Sequence, residues 1–493
     1  MECLAEMKKR PKFIDAIERF QLSGAYPVFF AILCTVSGLG DKYVYLPIIS
    51  VLALSILFSV LFVRDNKVFL TPIFMIYYSI GIDTPRAFAS SSGNVIASFD
   101  SDGFTGICIL AAIIVIPVFI RLVLDGSAAY AIKNRGLAFW GIVALNGSIL
   151  IGGIFSEHWS TINLAYALIL IAGLDVFYLI LSSIIGRSNK DIIPYSCYVL
   201  VLTCLMISLQ VILLVSQLHR DGMLLRLDPS TGKWILKRYN IALSWGLTTI
   251  IGASCACGIP AAMYLAKTNR FPILYYISAL IMWATTILVN ARSSMLVGGV
   301  FLIAGIIIIS FGGKNRKCNL MFTIGLVALI AFALTLAYRK VTESAPIKEV
   351  LFDIYKFLRF DIVDDRIAIY KIGLEDFLNA PIFGVGWSKG AFSSDLKFKN
   401  FYSNMYHCLP LQFCASAGIV GLAALGYHIK DIIKLALRRI NVDRLMLLSV
   451  SIMILLMSLV DNFFFYLNFQ IIYVAFLLLA EKHYELLKEQ KTL

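Results

Sequence analysis

Charge is scarce in this 493-residue chain: Asp, Glu, Lys and Arg together make up only 15%, against 59% hydrophobic residues. A water-soluble fold of that composition has more apolar surface than it can bury, so a soluble globular domain is excluded. With a mean hydropathy of +0.83, the solvent for most of the chain is lipid. Ionisable groups are rarest inside the apolar runs. Asp175 stands mid-run, Asp461 and Asn462 lie near the end of another, and most runs have none. An ion-coupled transporter is expected to carry more acids and bases at the membrane midplane. The ten cysteines lack any C-x2-C spacing and any His partner at ligand spacing. Most, such as Cys34, Cys108, Cys197, Cys204, Cys255, Cys257 and Cys414, fall in or beside apolar runs. They read as small packing residues, neither a disulfide framework nor a zinc site. Carboxylates at metal-ligand spacing are missing from the polar loops except at Asp361, Asp364 and Asp365, which read as a helix start. No metal or cofactor is therefore expected. A cleavable signal peptide is not apparent either. About twenty mostly polar residues, with an amphipathic stretch over 11–22, precede the first apolar run, so that run is expected to remain as an anchor.

What is present is a succession of apolar runs, each long enough to cross roughly 30 Å of hydrocarbon as a helix. They fall near 24–40, 43–63, 68–84, 103–124, 136–156, 162–185, 193–216, 240–266, 271–290, 293–312, 319–338, 408–429, 445–464 and 466–480. The fold class is therefore all-α: a polytopic integral membrane bundle of about 14 transmembrane helices. Charge orients it. With the amino terminus in the cytoplasm, Lys8-Lys9-Arg10, Arg64 and Lys67, Lys133 and Arg135, Arg187 and Lys190, Lys267 and Arg270, Lys314-Asn315-Arg316-Lys317, and the cluster from Lys430 to Arg444 all lie inside. That is about 25 basic residues inside against about 3 in the short outer loops, the positive-inside bias. The net charge of +13 is thus largely topology. The inner basic loops are short and not interleaved with aromatics, which argues against nucleic acid as a partner. The organisation that follows is a cytoplasmic segment 1–23, helices one to seven over 24–216, an outer loop 217–239, helices eight to eleven over 240–338, a large outer loop 339–407, helices twelve to fourteen over 408–480, and a cytoplasmic tail 481–493.

The two outer loops are long and, for the translocated side, unusually basic, with about 5 and about 10 Lys or Arg. Basic groups held there suggest an anionic ligand. In the first loop, two apolar stretches flank Asp228-Pro229-Ser230-Thr231-Gly232, which predicts a hairpin lying on the membrane surface as a lid. In the second, Ile367, Tyr370, Leu374 and Phe377 recur at helical spacing, Asp364 or Asp365 is placed to cap the start, and Pro381 stops the run. The expected amphipathic helix carries Arg366, Tyr370 and Phe377 on one face and aims the guanidinium into the bundle. The Gly384-Val385-Gly386 turn allows close backbone approach to a ligand or a helix.

Read together, residues 366–421 form one motif: Arg366-x3-Tyr370-x2-Gly373-x3-Phe377-x3-Pro381-Ile-Phe-Gly384-Val-Gly386, then His407 at a helix mouth, then Gly418-Ile-Val-Gly421. The motif resembles the carboxy-terminal signature of bacterial O-antigen polymerases and O-antigen ligases. The resemblance implies a glycosyltransferase of the bacterial inner membrane whose donor is an oligosaccharide on undecaprenyl pyrophosphate. The lipid tail lies in the bilayer and the diphosphate at the outer face. An imidazole, which titrates near neutrality, is suited to take a proton from a sugar hydroxyl, so His407 is the candidate base for direct, inverting displacement. Arginines then neutralise the leaving diphosphate in place of a metal ion. Arg292, in the Ala291-Arg292-Ser293-Ser294 turn, matches a Ser-Arg-type turn of related enzymes. Arg238, in Lys237-Arg238-Tyr239, matches an Arg-Tyr element, although the downstream Pro-Asn of the family is missing. Arg226 is the alternative, and Arg366 and Tyr370 complete the binding set. Asp461 is placed to orient His407.

The motif is shared by polymerases and ligases. A polymerase passes the chain to another lipid-linked repeat unit, a ligase to the lipid A core. Length and the number of spans favour the polymerase, with a chain-length regulator protein as its partner. An oligosaccharide-lipid flippase is the alternative of another class, but its cations are expected in a central cavity, not in outer loops.

Overall fold

The computed structural model describes residues 11–39, 42–79, 115–156, 159, 161–227, 234–236, 240–243, 245–312, 320–321, 324–325, 363–387, 406–438 and 440–492. The amino-terminal part comprises α1 (Lys12–Gln21), α2 (Ala25–Leu39), α3 (Lys42–Phe62) and α4 (Leu70–Met75). It continues through α5 (Ser127–Lys133), α6 (Phe139–Ile151), α7 (Thr161–Arg187) and α8 (Ile192–Arg220). A short antiparallel pair, β1 (Leu225–Leu227) and β2 (Trp234–Leu236), follows with Arg226 opposite Ile235. Then come α9 (Thr248–Thr268), α10 (Pro272–Leu288), α11 (Arg292–Gly312), α12 (Val363–Asn379), α13 (Leu409–Leu437), α14 (Val442–Met457) and α15 (Leu467–Thr492).

This is a helical multi-pass membrane protein. Among the described residues, four helices are long and apolar enough to span (Ile192–Arg220, Thr248–Thr268, Arg292–Ser310 and Leu409–Leu437), and two bent pairs raise the total to six. Most of the run expected over 319–338, the end of that over 68–84 (80–84) and the first part of that over 103–124 (103–114) lie outside the described residues.

The centre of the bundle is α9, with 94% of its apolar window buried. It packs against α8, α10, α11 and α14. Small residues make this possible: its Gly252, Ala253, Ser254, Cys255, Ala256, Cys257 and Gly258 leave room for neighbours to come close. A Cβ built on Gly258 meets the Met282 and Cys204 sulfurs at 2.5 and 2.7 Å. Cys197, Cys204, Cys255 and Cys257 are free and buried in this region, as packing residues. Asp175, the lone mid-run acid, accepts a hydrogen bond from the Asn146 amide across the α6–α7 contact. In lipid such pairing removes most of the cost of an intramembrane carboxyl group.

Three elements differ from the reading by apolar runs alone. The run over 240–266 starts its helix only at Thr248; before it, Leu243 and Gly246 form an isolated bridge and Trp245 donates to Gln210 at 3.1 Å. The expected tail 481–493 is mostly a continuation of α15, held by Glu481, whose carboxylate accepts from the Ala138 amide at 2.7 Å where α6 begins. Asp364 and Asp365 fall inside the first turn of α12 rather than before it.

Candidate functional site

The site is built where α12, α13 and the α14–α15 connection meet. The Leu409 amide donates to Ser458 O at 2.8 Å, joining the start of α13 to the end of α14. That junction brings His407, two residues before α13, against Asp461, four residues after α14: His407 Nδ1 lies 2.9 Å from Asp461 Oδ1. The pair is mostly sheltered, with side-chain exposures of 27% and 13%. Asp461 Oδ1 also accepts from the Asn462 amide at 2.9 Å. The ring is held at Nδ1, and Nε2 has no hydrogen-bond partner among the described residues.

Burial by itself raises the Asp461 carboxyl. The hydrogen bond and charge of His407, with the Arg366 charge and the Asn462 amide, outweigh that and hold it below the ordinary carboxylate value. A carboxyl depressed on folding stabilises the protein above its unfolded pKa, about 4, and that stability is lost as pH falls through the lower folded value. Wild type is therefore expected to melt above Asp461→Asn at pH 7, with the gap closing as pH is lowered towards 3; a gap that stays constant across a pH-resolved melting series would contradict the assignment.

The second half of the site is α12. Arg366 is half-buried near its start and close enough for its charge to act on Asp461. One turn on, Tyr370 Oη reaches the His407 carbonyl in a long hydrogen bond of 3.5 Å. Gly373 then lets the helix close on the chain before α13, since a Cβ there meets the Tyr406 ring at 2.8 Å. Tyr406 in turn donates its phenol to Asp376 at 2.5 Å and its amide to Gln412 at 2.9 Å. His407 itself adopts φ +50°, an uncommon region for a residue other than glycine. It is clamped from both sides by Tyr406 and by the Leu409–Ser458 bond. Asp376, Tyr406 and Gln412 were not singled out in the sequence. Nothing local marked any of the three.

The glycine motifs are accounted for by backbone packing. α13 is broken at Gly418, with φ +65° and ψ −154°. Segment 381–387 lies along the break. The Val385 and Gly386 amides donate to Ala415 O and Ser416 O at 2.8 and 3.0 Å, and the Ile419 and Val420 amides donate to Pro381 O and Ile382 O at 2.8 and 3.3 Å. Two carbonyls before the break and two amides after it thus find partners on the inserted segment, as polar backbone inside a membrane protein requires. A second anchor comes from α6 and α7. Gly153 N donates to Phe383 O at 2.7 Å, Trp387 Nε1 donates to Ile149 O at 2.9 Å, and the Trp387 amide donates to Asn163. Trp387, Phe413 and Phe465 meet edge to face or tilted, with centroids 5.6 to 5.8 Å apart.

Of the residues expected to act together, the structure gathers His407, Asp461, Arg366 and Tyr370. Arg292 is the first residue of α11 and is half-buried, and Arg226 lies on β1. Arg238 and Asp361 lie outside the described residues. Among the described residues there is no group of three or more His, Cys, Asp or Glu side chains placed to hold a metal.

The fold and this site define a multi-pass helical membrane protein with a sheltered His–Asp pair and an arginine at the mouth of a broken helix. Residues 277–426 match the family model described as O-antigen ligase, which bears out the resemblance to the O-antigen polymerase and ligase superfamily. The match contains Arg292, Arg366, Tyr370, His407 and both glycine motifs, while Asp461 and the first-loop arginines lie beyond it. No curated protein matches the chain.

Proposed function

We propose that the protein is a surface-polysaccharide polymerase of the bacterial inner membrane. It moves a growing glycan from undecaprenyl pyrophosphate to a lipid-linked repeat unit on the outer face. The reading includes about 14 spans, both termini in the cytoplasm and a chain-length regulator as partner. The observation that carries it is the His407–Asp461 pair, 2.9 Å apart, with the Arg366 charge acting on it and Nε2 without a partner among the described residues.

Asp461 accepts a hydrogen bond from Nδ1–H and so holds the tautomer that presents Nε2 as the base, the role a carboxylate plays behind a catalytic imidazole. Nε2 takes the proton of the acceptor hydroxyl. The acceptor oxygen forms its bond to the anomeric carbon as the carbon–oxygen bond to diphosphate breaks, with inversion. The charge that develops on the leaving diphosphate is neutralised by arginine, with Arg366 at the site and Arg292 and Arg238 or Arg226 as further contributors. No metal takes part in this scheme.

A ligase that transfers the finished polymer to lipid A core is the second reading, favoured by the description of the matching family. Gels of surface polysaccharide from cells lacking the gene, with and without a plasmid copy, separate the two. Cores bearing a single repeat, with the ladder restored by the plasmid, are expected. Bare cores with polymer stranded on the carrier lipid would make the protein a ligase, and an unchanged ladder would overturn both.

A further inference from the structure

The base and the arginine of the transfer site stand on different elements, and one residue is hydrogen-bonded to both sides. Tyr406 donates its phenol to Asp376 Oδ2 on α12 at 2.5 Å and its amide to Gln412 Oε1 on α13 at 2.9 Å. The next residue in the chain is His407. All three side chains are buried, with Tyr406 and Asp376 6% exposed and Gln412 3%. A phenol bonded to a carboxyl group in such a place makes a strong tie, and either partner left alone bears its full desolvation cost. Burial and the Asp376 charge push the Tyr406 phenol above its ordinary pKa, so it stays protonated and remains the donor. Gln412 carries the connection onward: its Nε2 donates to Ser416 Oγ at 2.9 Å, beside the break in α13.

The spacing of the site depends on this tie. A second contact from α12 to the same corner, Tyr370 Oη to His407 O, is long at 3.5 Å and therefore weak. Asp376 lies six residues beyond Tyr370, about 9 Å along the helix axis. Two contacts that far apart fix the tilt of α12 as well as its distance, and they hold Arg366 where its charge acts on Asp461. On the other side, the Gln412 bond restrains the backbone just before the φ of +50° at His407, a conformation that persists only where its surroundings impose it.

We propose that Tyr406 is the positioning residue of the transfer site: by bonding Asp376 and Gln412 at once, it holds the imidazole of His407 in register with α12. The inference rests on the transfer reaction proposed above, with His407 as the base. The test is steady-state transfer by the full-length protein in lipid nanodiscs, with rates expressed per folded molecule. Tyr406→Phe keeps the aromatic ring against Gly373 and removes the phenol bond. It should lower kcat by roughly 10- to 100-fold, the scale of loss that a misplacement of about 1 Å brings, and leave KM for the lipid-linked donor unchanged. Gln412→Leu, which cuts the tie on the α13 side, should show the same split. Asp376→Asn still offers the phenol an acceptor and should keep most of the wild-type kcat. Wild-type kcat per folded molecule in Tyr406→Phe, or in Gln412→Leu should the first fail to fold, would make the tie purely structural and overturn the inference. A loss confined to KM would overturn it too, by moving the tie to donor binding. His407→Asn in the same assay separates the two levels. If it also transfers at wild-type rate, the site assignment fails and the positioning role with it, whereas a slow His407→Asn beside a fast Tyr406→Phe removes the positioning role alone.

Discussion

His407→Asn should slow glycan transfer by about a thousandfold while leaving the protein folded in the membrane. General-base catalysis by a positioned side chain is worth roughly 10²–10⁴ in rate, and asparagine offers no comparable base. The choice of asparagine follows from the backbone: position 407 has φ +50°, a conformation that asparagine tolerates better than alanine does. The Tyr370–carbonyl and Leu409–Ser458 bonds at this corner involve main-chain atoms of 407 and 458, so the substitution leaves them in place. The measurement is the initial rate of polymer formation from purified lipid-linked donor, with melting temperature as the control for folding. Transfer at near wild-type rate from a protein of normal stability would remove His407 from the chemistry.

The second large effect is structural. Gly418→Ala is expected to destabilise the protein by about 3 kcal/mol or more, enough to deplete folded protein from the membrane. Gly418 combines φ +65° with ψ −154°, a region essentially restricted to glycine. A Cβ there would also stand 2.3 Å from Ile382 O, which is backbone and has no rotamer with which to withdraw. Undocking 381–387 would release the hydrogen bonds across the break, leaving polar groups unpaired where there is no water to take them. Gly426→Ala is the matched control on the same helix: nothing lies within 4 Å of its Cβ position, so the change should be neutral or slightly stabilising through helix propensity. Equal folded yields and melting temperatures for the two variants would refute the account of the break.

Much of this was legible in advance because it follows from local chemistry. Among the described residues, apolar runs of bilayer length had to become helices, and Cys255 and Cys257, without ligand spacing, had to be packing residues. The turn residues 228–232 had to separate two strands, and the 3.6-residue rhythm from Arg366 to Phe377 had to form a helix ended near Pro381. The function of the glycines was only half legible. Their spacing announced a close backbone approach, but a ligand and a helix were equally compatible with it until α13 proved to be broken at Gly418.

Other features depend on residues far apart in the chain. Asp376 has no distinguishing local signal, yet 30 positions separate it from the Tyr406 hydroxyl it binds. Asp461 stands 54 positions from His407, and the two meet because Leu409 bonds to Ser458 where α13 and α14 adjoin. The sequence by itself determined that the chain is a helical membrane protein and which short motif resembles the O-antigen polymerase and ligase superfamily, because hydrophobicity, helical period and motif spacing are properties of neighbouring residues. Only the tertiary structure decided that Asp461 meets the imidazole at Nδ1, which contacts hold the corner around His407 and what the glycines pack against. Those are distances between segments, and they are set by how the helices close on one another.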